Sequence, residues 1–334
     1  QTIAQMLQRK DISVNGSEIL ITAGCQQAMD IVLRVLACGH NQALVVEEPC
    51  YLGLLDLVSS RSITPLGIPV DEHGLQTEQL EQIILRHQPC LIYVTPGFHN
   101  PTGCAMSLER RHALLEIAGR YGVPILEDST YDDLNYGVPV LPTLKSLDTY
   151  DIVFHAGGFS KTLIPGIRIG YLVAPASLQE RIVAAKQTAD ILTSPLNQRA
   201  LDVYLKSGHY AQHLNQVQEA YRTRRDAMLA AADRHFPAEA QWSEPGGGMY
   251  LWVEMPVYGP SATELYLTAI NYNVAFSIGT VFSASGRFSH AMRLNFTVHT
   301  PEAIEEGIRR LGKAWKELLA RPVRTAQPNL SIPV

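Results

Sequence analysis

An α/β fold with a mostly parallel central sheet, followed by a smaller C-terminal α+β unit, is what the sequence predicts. Short apolar, β-branched runs alternate with amphipathic segments through roughly the first half of the chain, the pattern of βαβ units. Those runs are almost continuously apolar, as strands covered on both faces must be. From about Ala176 the alternation stops, and a long helical stretch leads into a last group of strand-like runs.

The elements justify this in order. Ile3, Met6 and Leu7 stand at helical spacing directly after Gln1, so the chain opens on a helix already under way and residues upstream are expected. CQQAMDIVLRVLA, from Cys25 to Ala37, reads as the next helix. ALVVEEP (43–49), LIYVTP (91–96), VPILED (123–128), DIVFHAG (151–157) and RIGYLVAP (168–175) read as strands. Helices fill the gaps: TEQLEQIILRH from Thr77, and SLERRHALLEIAGRYG, where Ser107 is the N-cap and Leu114, Ile117, Ala118 and Tyr121 share a face. The segment from Ala176 to Phe236 is mostly helical, and MYLWVEM (249–255), NVAFSIG (273–279) and AMRLNF (291–296) follow as strands. Thr300 then caps a final helix, with Pro301 at its first position and Ile304, Ile308, Leu311 and Trp315 on one stripe. The expected division is 1–207 for a large domain, 208–321 for a small one and 322–334 for a polar tail.

Composition narrows the function. With 334 residues, 46% hydrophobic, the chain can build a substantial core. A net charge of −5 with no basic stripe argues against nucleic-acid binding by this chain. No apolar run approaches the roughly 18 residues of a membrane span. Cys25, Cys38, Cys50, Cys90 and Cys104 are scattered without CxxC spacing, which points to a reduced, cytoplasmic setting and away from a zinc site.

The chemistry centres on Lys161, in HAGGFSKTLIPGIRIGY (155–171). A phosphate-wrapping P-loop needs a glycine immediately before its lysine, and Ser160 stands there instead. Ligands of open α/β sheets sit beyond the carboxyl ends of the strands, and polar or aromatic side chains cluster at such ends here: Tyr51, Asn100, Asp128, Tyr131 and Lys161. A buried lysine forms imines with carbonyls. Pyridoxal phosphate is the carbonyl cofactor that uses the remaining groups: Asp128 to keep the pyridine nitrogen protonated, Tyr131 and Asn100 for the ring oxygen, and Tyr51 to stack. Arg168 and the backbone turn at AGCQQ (23–27) would receive the phosphate. Each has a plainer alternative. Asp128 would cap a helix at STYDDL, Asn100 would form an Asx turn, Tyr51 would be core, Arg168 and Arg293 would be surface ion-pair partners, and Cys25 and Gln26 would simply start a helix.

TAGCQQAMD, EEPCYLG, HNPTG, EDSTYDDL, FSKTLIPGIRIGYL and MRLNF, in that order, resemble the class I/II aminotransferases of PLP fold type I across essentially the whole chain. The nearest groups are the α-aminoadipate/kynurenine-type enzymes and the aminotransferase-like domains of GntR/MocR-type regulators. The resemblance implies a homodimer that transfers amino groups between α-amino acids and 2-oxo acids. It makes Lys161 the cofactor-anchoring lysine and proton shuttle, with Asp128 and Tyr131 beside it. It makes Gln26, Arg168 and the Cys25 backbone phosphate ligands, and with Asn100 it makes Arg293 the receptor of the substrate α-carboxylate. Against the family pattern, Gly158 replaces a Ser or Thr and Cys25 replaces a serine, so the phosphate cup is expected to lack two hydroxyls. The family's N-terminal segment is also expected to be missing. The rival reading is a PLP- or effector-binding regulator domain with little turnover; a PLP lyase or decarboxylase is a further one.

Overall fold

The structure, a computed structural model, describes residues 1–36 and 42–320. Cys38, the expected helix end at Ala37 and the tail 322–334 lie outside them.

The chain runs α1 (Thr2–Gln8), β1 (Ile19–Thr22), α2 (Cys25–Leu36), β2 (Ala43–Glu48), α3 (Leu52–Ser60), β3 (Thr64–Asp71), β4 (Gly74–Leu75), α4 (Leu80–His87), β5 (Leu91–Val94), α5 (Leu108–Tyr121), β6 (Ile125–Asp128), α6 (Leu144–Leu147), β7 (Val153–Gly158) and β8 (Gly170–Val173). These eight strands form one sheet in the order β1-β8-β7-β6-β5-β2-β3-β4. From β7 across to β3 the neighbours are parallel; β8 is antiparallel to both β7 and β1.

The period of two along each strand explains the continuous apolar runs. Leu44, Val46, Tyr93, Leu126 and Phe154 pack on one face with Ala28, Met29, Ile31 and Val32 of α2. Their neighbours Val45, Ile92, Ile125 and Val153 pack on the other with Leu114, Leu115 and Ala118 of α5. Ser107 caps α5 as expected, its side chain accepting from Arg110 N.

Two strands have no strong sequence signal. The β3 segment, TPLGIPVD, carries two prolines and a glycine that suggest a loop; it tolerates them because its outer side is paired only by the two-residue β4. The four-residue β1 lies at the opposite edge and is only half buried.

Beyond β8 come α7 (Gln179–Asp190), α8 (Pro195–Lys206) and the long α9 (His209–His235), then β9 (Gln241–Trp242), β10 (Tyr250–Glu254), α10 (Ala262–Ile270), β11 (Ser277–Ile278), β12 (Ala291–Asn295) and α11 (Pro301–Leu319). The second sheet is antiparallel, in the order β11-β12-β10-β9. Its core joins Leu251, Val253, Met292 and Leu294 to Ile304, Ile308, Leu311 and Trp315 of α11 and to Met228, Ala231 and Ala232 of α9. Thr300 caps α11, with Pro301 in its first turn.

The expected strand 273–279 shrinks to Ser277–Ile278. Asn273 takes a left-handed conformation (φ 57°), and Val274 N donates to Ala269 O, so these residues close the end of α10 instead. Among the described residues no helix is long and apolar enough to cross a membrane.

Candidate active site

The strand order reverses at β2: its successor β3 lies on one side and β5 on the other. A crevice therefore opens at the carboxyl ends of β2 and β5. A cavity of about 340 Å³ lies there, and Cys25, Gln26, Tyr51, Asn100, Asp128, Tyr131, Lys161 and Arg168 all line it, with Thr95, Thr130 and Ser160. These residues are spread along the sequence from Cys25 to Arg168; the parallel strands bring them to one edge.

Asp128 forms the floor. Its carboxylate is 4% exposed and accepts from Tyr93 Oη at 3.0 Å, Cys25 Sγ at 3.4 Å, Thr130 N at 3.0 Å and Thr130 Oγ1 at 2.5 Å. Burial pushes the carboxyl above its usual range, and the Thr130, Tyr93 and Cys25 bonds pull against it. No helix follows Asp128: residues 130–133 form a turn, and the Thr130 bonds make a local loop closure rather than a helix cap.

Tyr131, buried behind the floor, accepts from Asn100 Nδ2 at 3.3 Å, and burial holds its phenol well above the ordinary value. Asn100 Oδ1 accepts in turn from Arg293 Nη1 at 2.8 Å. Asn100 thus bridges the two sheets, and the Asx-turn reading falls away. Arg293 makes no ion pair among the described residues. Its guanidinium lies 4.0 Å over the Tyr250 ring and 4.7 Å over Phe282, donates to Ser277 Oγ at 3.3 Å, and keeps a buried Nε without a partner. Tyr51 is half-buried at the cavity wall, its phenol pushed up to about 12 mainly by burial.

The opposite end is a cup. Helix α2 begins at Cys25, and β8 passes so close beneath it that a Cβ on Gly170 would stand 2.6 Å from Gly24 C and 2.8 Å from Cys25 N. Gln26 Nε2 donates to Gly53 O at 2.7 Å, while its Oε1 is buried with no partner. Arg168 does not open a strand: it sits two residues before β8 in a left-handed conformation (φ 50°), exposed, donating to Ala23 O at 2.9 Å and to Ser160 Oγ at 3.5 Å. Lys161 is half-buried between floor and cup, with no ion-pair partner among the described residues.

The residues fit pyridoxal phosphate. Asp128 is a buried carboxylate with neutral donors and, among the described residues, no cation touching it, which suits a protonated ring nitrogen. The cup offers an arginine and a helix N-terminus to an anion, and Lys161 stands between. The Cys25 thiol is directed at Asp128, which leaves the Cys25 backbone N–H as that residue's group at the cup. Tyr93 and Thr130 are the contributors sequence reasoning missed. Tyr93 sits inside an apolar run and reads as core; only its hydroxyl, reaching Asp128, distinguishes it.

The family model for aminotransferases of class I and II matches residues 1–311. The chain is 38% identical over 312 residues to a 2-aminoadipate transaminase of Thermus thermophilus, covering 92% of this chain and 78% of that one. It is 31% identical over 322 residues to the uncharacterized HTH-type transcriptional regulator YdfD of Bacillus subtilis, covering 96% of this chain and 66% of that one. Among solved structures, LysN, an α-aminoadipate aminotransferase from T. thermophilus complexed with N-(5'-phosphopyridoxyl)-L-leucine, superposes with a TM-score of 0.89 at 37% identity, covering 96% of this chain and 82% of that chain. The chain belongs to the pyridoxal phosphate-dependent class I and II aminotransferases.

Proposed function

We propose that the cavity takes an α-amino acid by its carboxylate at Arg293 and Asn100 and removes its α-proton with Lys161. The observation that carries this reading is the unbroken chain Arg293–Asn100–Tyr131, which ties a guanidinium of the second sheet, without an ion-pair partner among the described residues, to the Asp128 and Lys161 cavity of the first. When bound, pyridoxal phosphate supplies a carbonyl for the amino group and an electron-poor ring for the electrons released at Cα.

This chain's residues do the rest. Arg293 fixes the carboxylate in two-point geometry, and the Tyr250 and Phe282 rings hold the guanidinium flat. Lys161 Nζ takes the proton from Cα and returns a proton on the far side of the transfer, as general base and then acid. Asp128 keeps a positive charge at the ring nitrogen, where its raised carboxyl finds the cation it lacks. Tyr131 and Asn100 donate to the ring oxygen, and Tyr51 covers the ring. Arg168, Gln26 and the backbone N–H of Cys25 hold the phosphate.

We divide the chain into a large domain, 1–207, and a small one, 208–321: α8 ends at Lys206, and the second half of α9 shares a core with α10, α11 and the second sheet. A homodimer suits the exposed apolar side chains near the cup: Ile164 at 52%, Ile191 at 78%, Leu192 at 55% and Leu196 at 77%. Five scattered cysteines without CxxC spacing fit a reducing cytoplasm.

Mixing the holoenzyme with glutamate, alanine or 2-aminoadipate tests the activity. The cofactor's absorption band shifts to that of its amine form with at least one donor; no shift with any donor overturns the reading. That null result would favour the second reading, a PLP- or effector-binding domain of a GntR/MocR-type regulator, which the likeness to YdfD supports.

A further inference from the structure

Outside the cofactor cavity, a second constellation places a carboxylate, an imidazole, a hydroxyl and a thiol in one contiguous row. Glu47, 1% exposed near the end of β2, accepts from Thr95 N at 2.9 Å and has Oε2 3.2 Å from His99 Nε2. His99 is equally buried, and its Nδ1 lies 2.8 Å from Thr102 Oγ1. Thr102 Oγ1 donates to Cys104 Sγ at 3.0 Å. The Thr102 hydroxyl therefore stands between the His99 ring and Cys104. Burial opposes a proton on His99, but the adjoining Glu47 carboxylate outweighs it and holds the imidazole up at about 10. An anion forming on the Cys104 sulfur is therefore met by the Thr102 hydroxyl with the buried His99 cation directly behind it, an arrangement that favours attack by a cysteine.

Cys104 also faces room. It is half-buried on the wall of a cavity of about 620 Å³ that is separate from the cofactor cavity. Trp242, Trp252 and Phe288 supply aromatic walls, and Glu72, Glu244 and Glu254 make the polar part negative. Aromatic faces and carboxylates together select a cation. The other described thiols are placed differently: Cys50 is fully buried, Cys25 donates to Asp128, and Cys90 donates to Ala43 O.

We propose that Cys104 is a modification site that takes up small amine-bearing disulfides by thiol–disulfide exchange, with Glu47 and His99 as positioning residues. Cys104 Sγ, having lost its proton to water, attacks one sulfur of the disulfide. A new Sγ–S bond forms and the old S–S bond breaks. The other half leaves with the electron pair and is protonated, so one cysteine is oxidised as one thiol is released.

The adduct reaches the active site through a tight loop. Gly103 (φ 75°) has no space for a Cβ, which would stand 2.8 Å from Pro245 Cβ and 2.9 Å from Tyr250 O. The 99–104 loop is thus wedged against β10, whose Tyr250 ring underlies Arg293. Bulk on Cys104 shifts Asn100 and Arg293 together and weakens amino-acid binding; this consequence rests on the proposed role of Arg293.

The test treats holoenzyme with cystamine and, in parallel, with oxidised glutathione, then maps adducts by peptide mass spectrometry and measures KM. Cys104 is expected to carry the first adduct, with cystamine reacting about tenfold faster than oxidised glutathione, and Glu47→Gln slowing the step about tenfold. The mapping on the unmutated protein needs no variant to fold. A first adduct on any other cysteine, or equal rates for the two disulfides, overturns the proposal. The adduct is expected to raise KM in the unmutated protein, reversibly with dithiothreitol, but not in Cys104→Ser; an unchanged KM overturns the link to Arg293. A protein that is labelled at Cys104 yet has no turnover leaves the modification site standing and refutes the proposed activity instead.

Discussion

The floor and the cup of the cofactor cavity are built on opposite principles. At the floor, Asp128 is almost completely buried, fixed on a strand, and already accepts four hydrogen bonds. At the cup, Arg168 is exposed on a loop with only neutral partners, and Gln26 keeps a buried oxygen unpaired. The difference matches the work that the proposed roles give each end. A group that must stabilise developing charge gains from low dielectric and fixed dipoles. A group that must capture and hold an anion needs an open approach and donors not yet committed. Substitutions at the floor should therefore fall on turnover, and those at the cup on cofactor affinity.

The sharpest break in that comparison comes from the residue between the two ends. Lys161→Ala should lower kcat by about 10⁴-fold or more, measured in steady state with cofactor saturating. Asp128→Asn should lower kcat by about 10³-fold while the protein still binds cofactor; a loss of affinity alone would mean that the floor acts as a second cup.

The same substitution has a signature in the cofactor-free protein. Because Asp128 is raised in the folded state, its contribution to stability is complete below the ordinary carboxylate range and is lost as pH rises through the raised value. Denaturant titrations across acid pH should show this slope in the unmutated protein and a flatter one in Asp128→Asn.

Arg293→Gln should raise KM for the amino acid by about 30-fold, roughly 2 kcal/mol of lost charge pairing, with a smaller effect on kcat. At the cup, Arg168→Gln should weaken cofactor binding about tenfold, read by equilibrium dialysis, with kcat nearly unchanged at saturation. The smallest effect is a gain. A Cβ on Gly158 meets nothing closer than Ile169 O at 3.4 Å and lies 3.8 Å from Cys25 N. Gly158→Ser therefore restores a hydroxyl facing the cup and should tighten cofactor binding by a few-fold, about 1 kcal/mol or less.

The sequence made the floor more legible than the cup. Asp128 ends the run VPILED and Asn100 stands in the loop just beyond LIYVTP, so the apolar runs place both at carboxyl ends without further information. Arg168 was placed at the start of a strand because RIGYLV alternates well; its left-handed conformation depends on how the chain crosses beneath α2, which no local pattern encodes. The contact of the Cys25 thiol with Asp128 depends on the packing of α2 against β6, which no local pattern encodes. The β3 strand was hidden by its prolines, and NVAF by a helix end that borrows β-branched residues. The Glu47–His99–Thr102–Cys104 relay joins β2 to the loop after β5, a contact made only by their neighbouring places in the sheet.

The most direct measurement of the central claim is borohydride reduction of the holoprotein followed by peptide mapping. The expected result is a pyridoxyl group on the peptide containing Lys161 and on no other lysine. A pyridoxyl group elsewhere, or none after reconstitution with cofactor, would contradict it.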